Sequence, residues 1–260
     1  GGAASLAQRL LDAVRRAHIR ATPSSELTFS IGVASYPADA VYVEELVMAA
    51  DQALYVAKRE GRDAAADSAA LVGRLQRDPA LMLELLAEAG PQVMVAAGHA
   101  LDLRHTGMQA HSSRVAALAE AIGERTGYPH SLLERLRAVA FLHRVDEIRP
   151  DGEILERSPF PAEVAAAVRH QHERWDGAGL PDGLAGDAIP IESRILAIAD
   201  RFEILTAGRE SPPLTISAAL SALEADEGAF DPELLTALRA LVEEGSLALN
   251  APTALAGAAR

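Results

Sequence analysis

From about residue 70 onward the chain repeats one pattern, apolar residues at three- and four-residue spacing, and three of these stripes each carry one histidine. That period belongs to helices with one buried face. His111 precedes Val115, Leu118, Ala119 and Ile122, so its ring is expected to face the core. Leu132, Leu136, Val139 and Ala140 lead to His143 in the same way. In a third stripe Val164, Ala165 and Val168 share a face with His172, whereas His170, turned about 160° from it at roughly 100° per residue, is expected outside. Asp200 lies four residues after Leu196 and four before Ile204, so it too points into apolar surroundings. A carboxylate there needs a partner.

Three inward histidines and an inward aspartate on separate helices are the donor set of a helical metal hydrolase, in which a cation activates water. The same residues also suit plain hydrogen-bonded core positions. The chain has no cysteine, so a metal would have to use His, Asp or Glu. The 37 acidic and 24 basic residues leave a formal charge of -13, which disfavours a nucleic-acid polymer as partner. No signal-peptide pattern and no apolar run of membrane-spanning length is read in the sequence, so a cytoplasmic protein without a membrane span is expected.

The first 65 residues read differently. Residues 3 to 19 form an amphipathic helical pattern, and residues 27 to 34 alternate Leu27, Phe29, Ile31 and Val33 with small or polar residues, the period of a half-buried strand. A second helix from about 44 to 60 ends at Gly61, and the short polar residues 63 to 70 suit a boundary.

Five blocks, in order, carry a resemblance: His-Ser-Ser-Arg-Val-Ala (111 to 116), Phe-Leu-His-Arg-Val (141 to 145), His-Glu-Arg-Trp-Asp-Gly-Ala-Gly-Leu-Pro (172 to 181), Ile-Pro-Ile-Glu-Ser-Arg-Ile-Leu-Ala-Ile-Ala-Asp (189 to 200) and Phe-Asp-Pro-Glu-Leu (230 to 234). Residues 107 to 240 resemble an HD-GYP domain, the metal-dependent cyclic di-GMP phosphodiesterase branch of the HD superfamily. Residues 26 to 63, through Leu-Thr-Phe-Ser-Ile-Gly-Val-Ala and Ala-Asp-Gln-Ala-Leu-Tyr-Val-Ala-Lys-Arg-Glu-Gly-Arg, resemble the C-terminal part of a GGDEF domain. The resemblance implies a mostly α fold, an HD-superfamily helical bundle preceded by a small partial α/β segment. The expected divisions are 1–65 for the GGDEF-like part, 66–96 for linker helices, 97–248 for the HD-GYP-like domain and 249–260 for a disordered tail. The truncated first unit suggests a fragment of something longer, and without the GGDEF signature these residues are not expected to act as a diguanylate cyclase.

The resemblance implies metal ligation by His111, His143, His172 and Asp200 and phosphate contact by Arg209; read separately, Trp175, after Arg174, hints at stacking on a guanine base, with Gly179 and Pro181 of the following loop as ligand-binding candidates. Trp175 equally suits the core, and the loop from Asp176 to Gly183 equally suits a tight turn. Lys58 and Arg62 match phosphate-contacting residues of GGDEF proteins, and they equally suit the cation preference of a helix C-terminus. Several departures fall on the ligands. The family's aspartate after His143 is Arg144, and a unit charge about 4 Å from a divalent ion at a dielectric near 20 opposes it by about 8 kcal/mol. The family's phosphate lysine becomes Glu147, the residue before His172 is Gln171, the tyrosine of Gly-Tyr-Pro is Leu180, and a histidine-bearing segment after Leu155 is missing.

The expectation is therefore a degenerate site in which Arg144 fills the vacated metal position and pairs with Asp200. His143, Arg144 and Asp200 would then be vestigial, with no cofactor or a weakly held Fe, Mn or Zn ion. The reading is a regulatory or ligand-binding module, with cyclic di-GMP, other signalling proteins or a second copy as partner. An active phosphodiesterase and a purely structural dimerisation module are the alternatives.

Overall fold

A computed structural model describes residues 2–17, 20–22, 25–26, 28–40, 42–105, 108, 110–148, 153–209 and 212–247. The expected disordered tail and Leu27 lie outside the described residues.

The α/β segment begins with α1 (Gly2–Ala17), followed by a small antiparallel pair, β1 (Arg20–Thr22) and β2 (Ser25–Glu26). The strand expected over 27 to 34 narrows to β3 (Ile31–Val33), with Phe29 exposed. Helix α2 (Val43–Arg59) packs against it. The stretch 63 to 70 includes a strand: β4 (Ala65–Asp67) pairs in parallel with β3, Ile31 opposite Ala65. The small residues of β4 carry little strand preference, and the pairing with β3 supplies its conformation. Asp67 then caps α3 (Ser68–Arg77) by accepting from the Ala70 amide.

The remaining chain is helical. α4 (Pro79–Ala89) starts at a Pro capped by Asp78, and a 3-10 turn at Gly90–Val93 joins it to α5 (Met94–Asp102). By length and composition alone, the run Pro79–Asp102 is apolar enough to cross a membrane, contrary to the reading of the sequence. Yet 56% of its most apolar window is buried inside this fold, as expected of a core helix.

α6 (His111–Arg125) packs against α7 (Leu133–Leu142) and α10 (Ile191–Ala207), and α5 touches both α6 and α7. Gly98 permits the α5 contact, because a Cβ there would fall 2.7 Å from the Phe141 ring. Short α8 (Glu153–Glu156) packs against α4 and α9 (Ala162–Arg169), α9 lies beside α7, and α11 (Ile216–Ala225) and α12 (Pro232–Glu243) close the bundle over α10 and α6. Phe141, Phe202, Ile122 and Leu136 are sealed in its centre.

Candidate metal centre

Three helices converge where the inward histidines meet. His111 opens α6, and its first turn is held by α5: both carboxylate oxygens of Asp102 accept from Ser112, from its amide at 3.0 Å and its hydroxyl at 2.8 Å. His143 stands at the C-cap of α7, and Asp200 lies in the middle of α10. Among the described residues His111, His143 and Asp200 form a group whose ligand atoms all lie within 4.8 Å of one another.

The hydrogen bonds behind the rings decide what faces inward. His143 Nδ1 lies 2.7 Å from the Ala140 carbonyl, which can only accept, so Nδ1 carries the hydrogen. His111 Nδ1 lies 2.7 Å from Oε2 of the buried Glu203 carboxylate and donates likewise. With both Nδ1 positions committed, the two Nε2 atoms confront each other at 3.2 Å. Asp200 Oδ1 lies 3.1 Å from His111 Nε2 and 3.7 Å from that of His143, yet it is buried without a hydrogen-bond partner of its own. A proton on His111 Nε2 shared with Asp200, or a cation between the three atoms, can hold this cluster together. The donor set of two imidazoles and a carboxylate, with this orphaned oxygen, therefore fits a divalent ion.

The electrostatics set the two rings apart, and an ion entering the site would displace a proton from His111. Burial pushes the His111 imidazole down, but the Asp200 and Glu203 carboxylates outweigh it and lift the group to about 9. His143, which lacks a carboxylate behind it, is driven by burial down to about 4. Burial raises Asp200, and the two rings more than reverse this, leaving it below the usual carboxylate range. The Asp200 side chain keeps 29% exposure, so solvent reaches the site from one side.

The fourth expected ligand is not with these three. α9 ends at Arg169 with His170 as its cap, so the helical period cannot be carried on to 172. His170 is the half-buried one, bonded to Asp182, while the His172 side chain is 70% exposed and lies 3.8 Å from Asp146, whose carboxylate raises its pKa. Gln171 turns inward instead, donating to the His143 carbonyl at 2.6 Å and to Asp146 at 3.2 Å.

The expected Arg144–Asp200 bridge also gives way. Arg144 Nη2 pairs with Glu147 three residues on, at 2.6 Å, and the other Glu147 oxygen lies 2.7 Å from His105 Nε2. A partner one turn away was nearer than one across the bundle. The two sign reversals at 144 and 147 thus pair with each other, while the Arg144 charge still acts on His143 and Asp200. An open groove of about 550 Å³, lined in part by Arg104, His105 and Glu147, adjoins this pair.

The other expected ligand-binding residues are spread over separate elements. The Arg209 side chain, only 8% exposed, lies on Glu203 with Nη2 at 2.6 Å and Nε at 3.2 Å. The Arg194 guanidinium lies 5.5 Å from the centroid of the Trp175 ring. A Cβ on Gly179 would fall 2.2 Å from the Arg174 amide nitrogen, so glycine lets the loop fold back on itself. Buried Glu173 holds that fold-back by accepting from the amides of Asp182, next to Pro181, and Leu184. Lys58 and Arg62 are exposed near the end of α2, away from the histidines in sequence and on a different element. Glu203 and Gln171 escaped the sequence reading as functional candidates, although Glu203, three residues after Asp200, shares its helix face.

Residues 148–234 match the sequence model of the HD domain, and residues 2–64 match that of the GGDEF diguanylate cyclase domain. Of the three acceptors, Asp200 lies within the HD match, which begins after His143. The cyclic di-GMP phosphodiesterase response regulator RpfG of Xanthomonas campestris is 32% identical over 169 residues, 54% of this chain and 44% of that protein. The 3'3'-cGAMP-specific phosphodiesterase 2 of Vibrio cholerae is 31% identical over 190 residues, 61% of this chain and 36% of that one. The chain spans less than half the length of these curated relatives. An HDG"Y"P protein of Bdellovibrio bacteriovorus is a solved structure with TM-score 0.48 and 13% identity, covering 91% of this chain and 78% of its own.

Proposed function

We propose that this chain, an HD domain preceded by part of a GGDEF domain, serves cyclic-dinucleotide signalling as a module that holds one divalent ion and binds a cyclic dinucleotide there with little or no hydrolysis. The convergence of His111 Nε2, His143 Nε2 and Asp200 Oδ1 carries the reading. These three atoms would hold the ion, and a bound ion would supply Lewis acidity toward a phosphate oxygen and acidify a water. Around it the chain's own groups orient the two rings, and the exposed edge of Asp200 leaves a path for a ligand. Impaired hydrolysis is supported by Arg144, which stands where the HD-GYP resemblance expects a metal-bridging aspartate, and by His172, which is exposed and outside the group of three. The names of the relatives support a cyclic dinucleotide as the ligand class.

A working phosphodiesterase is the second reading. It is favoured by the small ligand count, since three protein ligands leave coordination positions open for water and substrate. Incubating the manganese-loaded chain with cyclic di-GMP and with 3'3'-cGAMP separates the two, using chromatography for products and calorimetry for binding. Binding with product at the no-enzyme background is expected, and multiple turnovers of either dinucleotide would replace the first reading with the second. Absence of binding to both would remove the dinucleotide from the account.

A further inference from the structure

Helix α10 offers Asp200 to the candidate ion and, three residues on, sends Glu203 behind the ring of His111. Glu203 is 1% exposed, and a carboxylate so buried is tolerated only when its charge is met. Here it is met on both sides. Oε1 accepts from Arg114 Nε at 2.7 Å and from Arg209 Nη2 at 2.6 Å, while Oε2 accepts from His111 Nδ1 at 2.7 Å and from Arg209 Nε at 3.2 Å. Arg114 lies one turn after His111 on α6, and Arg209 lies just beyond α10. The two guanidinium groups therefore lock the carboxylate against two of the three helices that contribute to the site, α6 and α10.

We infer that Glu203 is a positioning residue: clamped by Arg114 and Arg209, it holds the His111 Nδ1–H and so aims the Nε2 lone pair at the point shared with His143 and Asp200. The inference rests on the single-ion reading above. A charged acceptor makes the stronger hydrogen bond and increases the donor strength of the ring it holds. His143 has only the neutral Ala140 carbonyl in the same place. The two rings thus differ in their anchors while sharing one target, and His143 becomes the internal control for His111.

The test is heteronuclear NMR of the full chain with nitrogen-labelled histidine, titrated with Zn²⁺ alone, the two rings being assigned through His111→Gln and His143→Gln variants. In the parent, both rings should give slowly exchanging Nδ1–H signals with and without Zn²⁺, and both Nε2 resonances should move when Zn²⁺ is added. Glu203→Gln keeps the size and one acceptor oxygen but removes the charge. It should shift the His111 Nδ1–H signal upfield and weaken Zn²⁺ binding about 10-fold, and Glu203→Ala should abolish that signal and weaken binding about 100-fold, the His143 Nδ1–H signal staying in place in both. Should the alanine variant fail to fold, the glutamine variant decides alone. An unchanged His111 signal with affinity within twofold of the parent would overturn the inference, as would equal displacement of His143, the mark of general loosening. A parent whose Nε2 resonances ignore Zn²⁺ removes the single-ion reading, whereas a His111 Nδ1–H signal indifferent to Glu203 removes the clamp itself.

Discussion

The α/β segment before Ser68 and the helical body after it treat apolar surface in opposite ways. Between α1, α2 and β3 runs a groove of about 470 Å³ in which Leu6, Leu10 and Val47 remain half exposed. In the helical body Phe141 and Phe202 are sealed completely. Helix α2 belongs to both regions. Its outer face leaves Val43 73% and Val47 58% exposed, while its inner face buries Glu45, Gln52 and Val56, with Gln52 accepting from the Ala96 amide of α5 at 2.8 Å. The contrast teaches that stability resides in the helices, and that the α/β segment is attached through α2 by polar contacts as well as apolar ones.

The largest effect should come from the sealed side. Phe141→Ala should cost about 3–5 kcal/mol in denaturant unfolding, because the void it leaves is enclosed on all sides. A loss below about 1 kcal/mol would mean that the body is looser than its burial implies.

At the attachment the effect should depend on pH. Glu45 is buried in α2 with Oε2 unpartnered, and burial lifts its carboxyl to about 7. Ser113 and Arg137 favour its ionised form, while Glu120 and Asp102 oppose it. An unfolded glutamate releases its proton near 4.5, so between that pH and 7 the folded chain binds more protons and loses stability as pH rises. Glu45→Gln should remove this fall and exceed the parent in stability above neutral pH by on the order of 3 kcal/mol. Identical slopes for parent and variant over that window would contradict the assignment.

The smallest change should be found in the groove. Val47→Ser should alter stability by no more than about 0.5 kcal/mol, the range of exposed positions. A loss well above that would show that the groove is covered in solution, and would erase the contrast between the two regions.

How much could be read in advance follows the same division between local and distant causes. The stripes of α6 and α7, and the inward aim of His111, His143 and Asp200, follow from a period that each helix enforces on itself. His172 was misplaced because that period stops where α9 is capped, one residue beyond Arg169. The strand β4 was hidden because Ala65, Ala66 and Asp67 become a strand only through β3, more than thirty residues earlier. Arg144 had a legible partner in Glu147, at the spacing of neighbouring helix turns, and electrostatic reasoning about a vacated metal position overrode it. The clamp on His111 joins residues 89 and 92 positions apart, beyond the reach of any local pattern.

The most direct test of the central claim is the stoichiometry of Mn²⁺ bound to the full chain, measured by calorimetry with and without Asp200→Ala. One ion per parent chain, lost in the variant, is the expected result. Two ions per chain, or none, would contradict a site built from His111, His143 and Asp200 with Arg144 paired to Glu147.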